Sequence, residues 1–155
     1  MKALIVLLAL VASLPVHADF IGKVVHVADG NTISVLKEQE SQKIVIAGVD
    51  APENKQPFGN IAKKQLAYLL AGKEVRVEEK KKDAHGRTIA RVWAASDDCR
   101  SRDCPKTVDV GLVLLAQGLA WFYKEHEPEL GVTEQRQYAL AEENAKSGRV
   151  GLWHD

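Results

Sequence analysis

Short runs of apolar and β-branched residues, separated by polar turns, fill the first two thirds of the chain. Runs of this length and composition predict β-strands rather than helices. The dipeptide Asp29-Gly30, between the first two runs, is typical of a tight hairpin turn. The polar segment KKKDAHGR, between the last two, predicts a second hairpin. The five predicted strands are Phe20–Val27, Thr32–Leu36, Lys43–Val49, Glu74–Glu79 and Thr88–Ala94.

Three other segments carry apolar residues at the spacing of a helix face. Gly72 follows the first and Gly148 the last, and glycine is common just after a helix end. Thr133 is the predicted N-cap of the last helix. Five strands and three helices predict an α+β fold, for which the five-stranded OB-type β-barrel is the commonest small solution. The predicted helices are Asn60–Leu70, Val110–Gln117 and a third from about Glu134 to Lys146.

The first eighteen residues have the pattern of a signal peptide. Lys2 gives a basic start, Ala3–Leu14 an apolar centre, and the small-residue sequence VHA a cleavage site. The apolar run is short for a membrane span, which disfavours an uncleaved anchor. We therefore expect one secreted or periplasmic domain, residues 19–155, that is a monomer and has no membrane contact once the leader is removed.

The charge balance limits the class of ligand. The chain has 21 Lys and Arg and 21 Asp and Glu, so its formal net charge is zero. Removal of the leader, which carries one lysine, leaves about −1. Such a chain lacks the positive field of a protein that coats nucleic acid without sequence preference. Any anionic ligand therefore has to be held by a local site.

Two cysteines, Cys99 and Cys104, stand close together in the polar sequence DDCRSRDCP. In an exported protein this spacing favours a structural disulfide at an exposed hairpin tip. A zinc site is the weaker alternative, because no second pair of Cys or His has suitable spacing.

Three polar segments contain the residue types of a metal-assisted phosphodiesterase. Hard cations bind carboxylate, amide and carbonyl oxygens, and a guanidinium fork matches two oxygens of a phosphate. A further carboxylate can activate water beside the cation. Taken singly, each segment is equally well explained as a turn or a solvated connection. The segments are VADGNT with Asp29 and Asn31, GVDAPEN with Asp50 and Glu53, and DAHGR with His85 and Arg87.

In this order the segments resemble the thermonuclease, or staphylococcal nuclease-like, family from about Phe20 to Trp153. The matching pieces are VADGNTISV, KIVIAGVDAPE, PFGNIAKKQL, DAHGRTIARVW, AQGLAWFY and AEENAKSGRVGLW. The resemblance implies an OB-type barrel and a calcium-dependent endonuclease that acts on DNA and RNA. It also implies that Trp153 and the last helix close one end of the core.

The resemblance also implies roles for individual residues. Asp50 matches a calcium-binding aspartate, and Ala51 a residue that binds calcium through its backbone carbonyl. Glu53 matches the glutamate that orients or deprotonates the attacking water, and Arg87 an arginine that binds the scissile phosphate. His85 takes the place of an aromatic residue that contacts the substrate, and Tyr123 supplies the second aromatic contact.

Two positions depart from the family pattern. The family sequence DGDT reads DGNT, so Asn31 offers an amide oxygen where a calcium-binding aspartate is usual. The family usually has a sequence like IRLAGID where this chain has IVIAGVD. Val45 therefore takes the place of a second phosphate-binding arginine. Lys43 lies two residues earlier on the same face of the strand and would be a partial substitute. These departures predict weaker calcium binding and slower catalysis.

Two other functions remain open. One is a degenerate nuclease fold that binds nucleic acid or a protein partner, and the other is a purely structural envelope protein. A binding module should present its basic and aromatic residues on one face. The residues that test this are Lys43, Lys63, Lys64, His85, Arg87 and Tyr123.

Overall fold

The computed structural model describes residues 19–101 and 103–154, and the expected leader, residues 1–18, lies outside them. The strands are β1 (Phe20–Val27), β2 (Thr32–Lys37), β3 (Glu40–Ile46), β4 (Val49–Asp50), β5 (Glu74–Lys82), β6 (Thr88–Ala95), β7 (Lys106–Asp109) and β8 (Trp121–Phe122). The α-helices are α1 (Gly59–Leu70), α2 (Val110–Ala116) and α3 (Val132–Ser147). Two 3₁₀ helices span Lys124–Glu129 and Gly151–Trp153.

Five strands form a closed barrel. Strands β3, β2, β1, β5 and β6 are neighbours in that order and pair antiparallel. The parallel pairing of β3 with β6 closes the ring, with Val45 opposite Ile89. This is the five-stranded OB-type barrel of an α+β fold, so the predicted fold class is confirmed.

The barrel interior explains why these segments form strands. Each strand contributes buried apolar residues, and Val24, Val35, Ile44, Val75 and Val92 are fully or almost fully buried. The helices cover the ends and sides of the barrel with their apolar faces. Among their buried side chains are Leu66 and Leu70 of α1, Leu114 and Leu115 of α2, and Tyr138 of α3.

Strands β4 and β8 pair with each other beside the barrel, where Asp50 lies opposite Trp121. This two-residue ladder fixes the chain just before the DAPE sequence against the segment that follows α2. Strand β7 extends the sheet from β6, and the connection between them carries a disulfide between Cys99 and Cys104. The pairing favoured over a zinc site is therefore present.

Two details of the C-terminal region differ from the sequence prediction. Helix α3 begins at Val132, with Gly131 rather than Thr133 at the N-cap. A Cβ atom at residue 131 would lie 2.4 Å from Oε2 of Glu134, so the end of that side chain lies over the helix start and would have to shift for a larger residue. Trp153 is partly exposed, with Nζ of Lys146 4.5 Å from its ring centroid, whereas Tyr138 and Phe122 are aromatic residues of the buried core.

None of the helices in the described ranges is long and apolar enough to span a membrane.

Candidate active site

A cleft of about 370 Å³ opens where four connections meet beside the barrel. These are the β1–β2 turn, the segment after β4, the β5–β6 hairpin and the 3₁₀ helix Lys124–Glu129. The three segments singled out from the sequence therefore line one surface, although they are far apart in the chain. The polar lining residues are Asp29, Asn31, Thr32, Asp50, Glu53, Asp83, His85, Arg87, Tyr123 and His126.

The β1–β2 turn holds Asn31 by two hydrogen bonds. Its backbone N–H donates to Oδ1 of Asp29 at 3.0 Å, and its Nδ2 donates to the carbonyl of Val49 at 2.9 Å. The second bond joins the turn to β4 and uses the nitrogen of the amide, which leaves Oδ1 as the group able to bind a cation. A Cβ at Gly30 would lie 2.6 Å from Cβ of Ala51, so glycine lets the turn approach this loop.

The loop after β4 carries the two carboxylates Asp50 and Glu53. Its shape is fixed by Gln56, whose Oε1 accepts the backbone N–H of Glu53 at 2.7 Å. Gly59, at the start of α1, packs so closely on this loop that a Cβ would lie 1.9 Å from the carbonyl oxygen of Glu53. The carboxylates are thus presented by a loop with little freedom.

The electrostatics of this loop favour a bound cation. Partial burial raises the pKa of Asp50, and the negative charges of Glu53 and Asp29 raise it further. The repulsion among these carboxylates would be relieved by a positive ion beside them. Asp50, the amide oxygen of Asn31 and the carbonyl of Ala51 are oxygen donors that suit a hard cation. Within residues 19–101 and 103–154, no three His, Cys, Asp or Glu side chains cluster as a metal site, so neutral oxygens would complete the set.

On the opposite side of the cleft, Arg87 is oriented by Asp83. Nε of Arg87 donates to Oδ2 of Asp83 at 2.6 Å, while Oδ1 of Asp83 accepts the backbone N–H groups of Arg87 and His85 at 2.8 and 2.9 Å. The carboxylate therefore fixes both the hairpin turn and the guanidinium, and the two Nη groups are left for a ligand. This role of Asp83 was not predicted from the sequence.

The 3₁₀ helix contributes an aromatic pair. Tyr123 and His126 meet edge to face, with ring centroids 4.7 Å apart and planes at 89°. The hydroxyl of Tyr123 donates to Oε2 of Glu125 at 2.5 Å. Burial lowers the pKa of His126, and Nδ1 of this ring is buried without a hydrogen-bond partner. His126 was missed from the sequence; its spacing of three residues from Tyr123 was the available signal.

Not every predicted residue reaches the cleft. Val45 lines it, and its side chain is 6% exposed. Among the described residues, Lys43, Lys63 and Lys64 are absent from the lining, whereas His85, Arg87 and Tyr123 belong to it. Lys43 is exposed on β3 opposite Ser34, two register positions from the pair of Val45 and Thr32. The single basic face expected of a binding module is therefore not assembled around this cleft.

Comparison with known proteins identifies relatives of the whole chain. Residues 43–155 match the family model described as staphylococcal nuclease homologue. A micrococcal nuclease of Shigella flexneri is 34% identical over 155 residues, which cover all of this chain and 86% of that protein. Protein ParB of Escherichia coli is also 34% identical, over all of this chain and 84% of its own length. An uncharacterized endonuclease of Escherichia coli is 32% identical, over all of this chain and 92% of that protein.

Proposed function

Since this chain belongs to the staphylococcal nuclease homologues, whose relatives point to a nuclease-type function, we propose that it is an exported, calcium-dependent phosphodiesterase that cleaves DNA or RNA. The observation that carries the proposal is the meeting of Asn31, Asp50, Glu53 and Arg87, from three separate segments, in one cleft. The predicted leader over residues 1–18 and the disulfide of Cys99 with Cys104 support export.

The residues divide into a cation side and a phosphate side. Calcium would be held by Asp50, by the amide oxygen of Asn31 and by the carbonyl of Ala51, and when bound it supplies positive charge beside the reacting phosphate. Glu53 orients the attacking water and takes its proton as the water oxygen bonds to phosphorus. Arg87 donates hydrogen bonds to the non-bridging oxygens while the ester P–O bond breaks and the leaving oxygen takes a proton from solvent. His85 and Tyr123 contact the remainder of the substrate.

The same cleft predicts a slow enzyme. The family pattern has a second arginine where Val45 lines the cleft, and loss of one donor of this type costs about 10²–10³ in rate. Asn31 removes a negative charge from the cation side, which weakens calcium binding. A degenerate binding module is therefore the alternative that the substitution at Val45 favours.

The deciding experiment is a nuclease assay on purified protein lacking residues 1–18. Hydrolysis of single-stranded DNA and RNA is expected with calcium and should stop when a chelator is added. Glu53→Gln and Arg87→Met should abolish it, because one removes the base and the other the phosphate donor. Matched controls are Glu40→Gln and Arg136→Met, at exposed positions outside the cleft. If the wild-type protein gives no hydrolysis above the background left by Glu53→Gln while it still binds nucleic acid, the binding module is established instead.

A further inference from the structure

The 3₁₀ helix Lys124–Glu129 and the residue before it bring His126 and Tyr123 to the cleft, and the proposed reaction does not use His126. In a 3₁₀ helix, residues three apart are eclipsed. Tyr123, His126 and Glu129 therefore follow one another along one side of this helix. The edge-to-face contact of Tyr123 with His126 fits this arrangement, and Glu129 supplies the largest charge effect on His126.

Two atoms in this row are buried and unpaired. They are Nδ1 of His126 and Oε2 of Glu129, and within the described part of the chain no hydrogen-bond partner contacts either of them. The other carboxylate oxygen of Glu129 forms an ion pair with Lys81 of β5, which anchors the side chain. Buried polar atoms are almost always paired in proteins. An imidazole N–H and a carboxylate oxygen are complementary, and each of these two atoms lacks the kind of partner that the other would supply.

We propose that Glu129 positions His126 as a further substrate-contacting residue, whose Nε2 accepts a hydrogen bond from the nucleoside part of the substrate. A neutral imidazole has one donor and one acceptor nitrogen, so donation from Nδ1 to Glu129 leaves Nε2 as the acceptor. An acceptor repels phosphate oxygens but pairs with O–H and N–H groups. The lowered pKa of His126, caused by burial, favours the neutral ring. This inference rests on the proposed function, since it needs nucleic acid in the cleft.

Two groups of a nucleic acid supply such a donor. One is the ribose 2′-hydroxyl, which is absent from DNA, and the other is an N–H of a nucleobase, which both polymers carry. Contact with the hydroxyl would make His126 a determinant of RNA preference. Contact with a base would make it a determinant of base preference.

The tautomer of His126 tests the positioning role without any substrate. Long-range ¹H–¹⁵N spectra of the wild-type protein at pH 8 should show the proton on Nδ1. Glu129→Leu should move it to Nε2, while Lys81→Met, which removes only the ion pair, should leave it on Nδ1. A wild-type proton on Nε2 would overturn the proposal, as would a tautomer that does not respond to Glu129→Leu.

Binding of fluorescent oligonucleotides tests the contact itself. RNA and DNA of one sequence are titrated in chelator, which prevents cleavage. His126→Phe keeps the ring contact with Tyr123 and should raise Kd about tenfold, the effect of one lost hydrogen bond. His126→Gln keeps an acceptor near Nε2 and should bind within about threefold of wild type. His26→Phe, at an exposed position on β1, is the matched control and should change nothing.

The two polymers distinguish the donors. A loss confined to RNA assigns the contact to the 2′-hydroxyl, and a loss on both polymers assigns it to a base. Equal binding by wild type, His126→Phe and His126→Gln would refute the contact. If the wild-type protein binds the oligonucleotides but shows no cleavage in the nuclease assay, the proposed nuclease function is refuted and this inference stands. If the wild-type protein binds neither oligonucleotide, both proposals are refuted. If His126→Phe does not fold, the position of the ring proton of His126 in the wild-type protein decides whether the proposal holds.

Discussion

At the scale of single residues, the slow catalysis that we propose depends mainly on Val45. Its side chain lines the cleft on β3, opposite Thr32 on β2 and Ile89 on β6. A longer side chain at this position would therefore start from a Cβ atom that already lies at the cleft. Asn31 is held to β4 through Nδ2, so its replacement by aspartate exchanges that bond for an additional negative charge beside Asp50.

Replacing Val45 by arginine and Asn31 by aspartate should raise the nuclease activity. Val45→Arg supplies a second donor to the phosphate, and a gain of about 10²-fold in kcat/KM is expected. Asn31→Asp should lower the calcium concentration that gives half-maximal activity. The measurement is the rate of oligonucleotide cleavage over a calcium titration for both single variants and the double variant.

Val45→Leu is the matched control, because it lengthens the side chain without adding a donor. Its rate should stay at or below that of wild type. A double variant that folds, binds calcium and cleaves no faster than wild type would count against an attenuated enzyme.

A site residue could be predicted from the sequence when it lies in a short contiguous motif. Asp50, Glu53 and Arg87 lie in contiguous motifs, VDAPE and DAHGR, so the sequence alone was enough to nominate them. His126 lies in EHEPE, which has no motif. Its position depends on the three-residue period of a 3₁₀ helix, and apolar periodicity does not reveal such a helix.

At the scale of elements, one buried ion network ties the barrel to α2 and α3. Arg91 of β6 is 7% exposed and donates to Oδ2 of Asp109 at 2.8 Å and to Oε1 of Glu134 at 3.2 Å. Oδ1 of Asp109 accepts the hydroxyl of Tyr138 at 2.8 Å and the backbone N–H of Leu112 at 3.2 Å. Asp109 is thus the N-cap of α2 and the partner of a buried cation at the same time.

Asp109→Ala should destabilise the protein strongly. Loss of the cap costs about 1 kcal/mol, and removal of one partner from a buried ion pair costs about 3–5 kcal/mol. The free energy of unfolding in urea is the quantity to measure. Asp97→Ala is the matched control, because it breaks the exposed pair with Lys73 and should cost less than about 1 kcal/mol. Similar losses in the two variants would show that Asp109 does not hold these elements together.

The elements that sequence analysis found are those with a strong apolar pattern. The bounds predicted for β1, β2, β6 and α1 lie within one residue of the observed ones, and β5 continues three residues further, to Lys82. The predicted strand Lys43–Val49 was misplaced, because β3 spans Glu40–Ile46 and Val49 belongs to β4. Strand β7 has the sequence KTVD, and β4 and β8 are two residues long, so alternation gives no signal for them. The start of α3 was misplaced because its N-cap, Gly131, has no capping side chain that the sequence could reveal.

At the scale of the whole molecule, the disulfide and the cleft occupy different connections of the barrel. Cys99 and Cys104 lie between β6 and β7, and neither belongs to the cleft lining. The cleft is formed instead by the β1–β2 turn, the segment after β4, the β5–β6 hairpin and the 3₁₀ helix after β8. Chain stability and cleavage activity should therefore respond independently to a change at the cysteines.

The double variant Cys99→Ser with Cys104→Ser tests this separation. A bond that closes so short a loop contributes about 2 kcal/mol through the entropy of the unfolded chain, so the free energy of unfolding should fall by about that amount. At a temperature where the variant remains folded, kcat and the calcium requirement should equal those of wild type, because the cleft loops are held by their own hydrogen bonds to Asp29, Gln56 and Asp83. Urea unfolding and initial cleavage rates on the same preparations give both quantities. A variant of unchanged stability would mean that the bond has no structural role, and a folded variant with impaired cleavage would mean that the connection between β6 and β7 shapes the cleft.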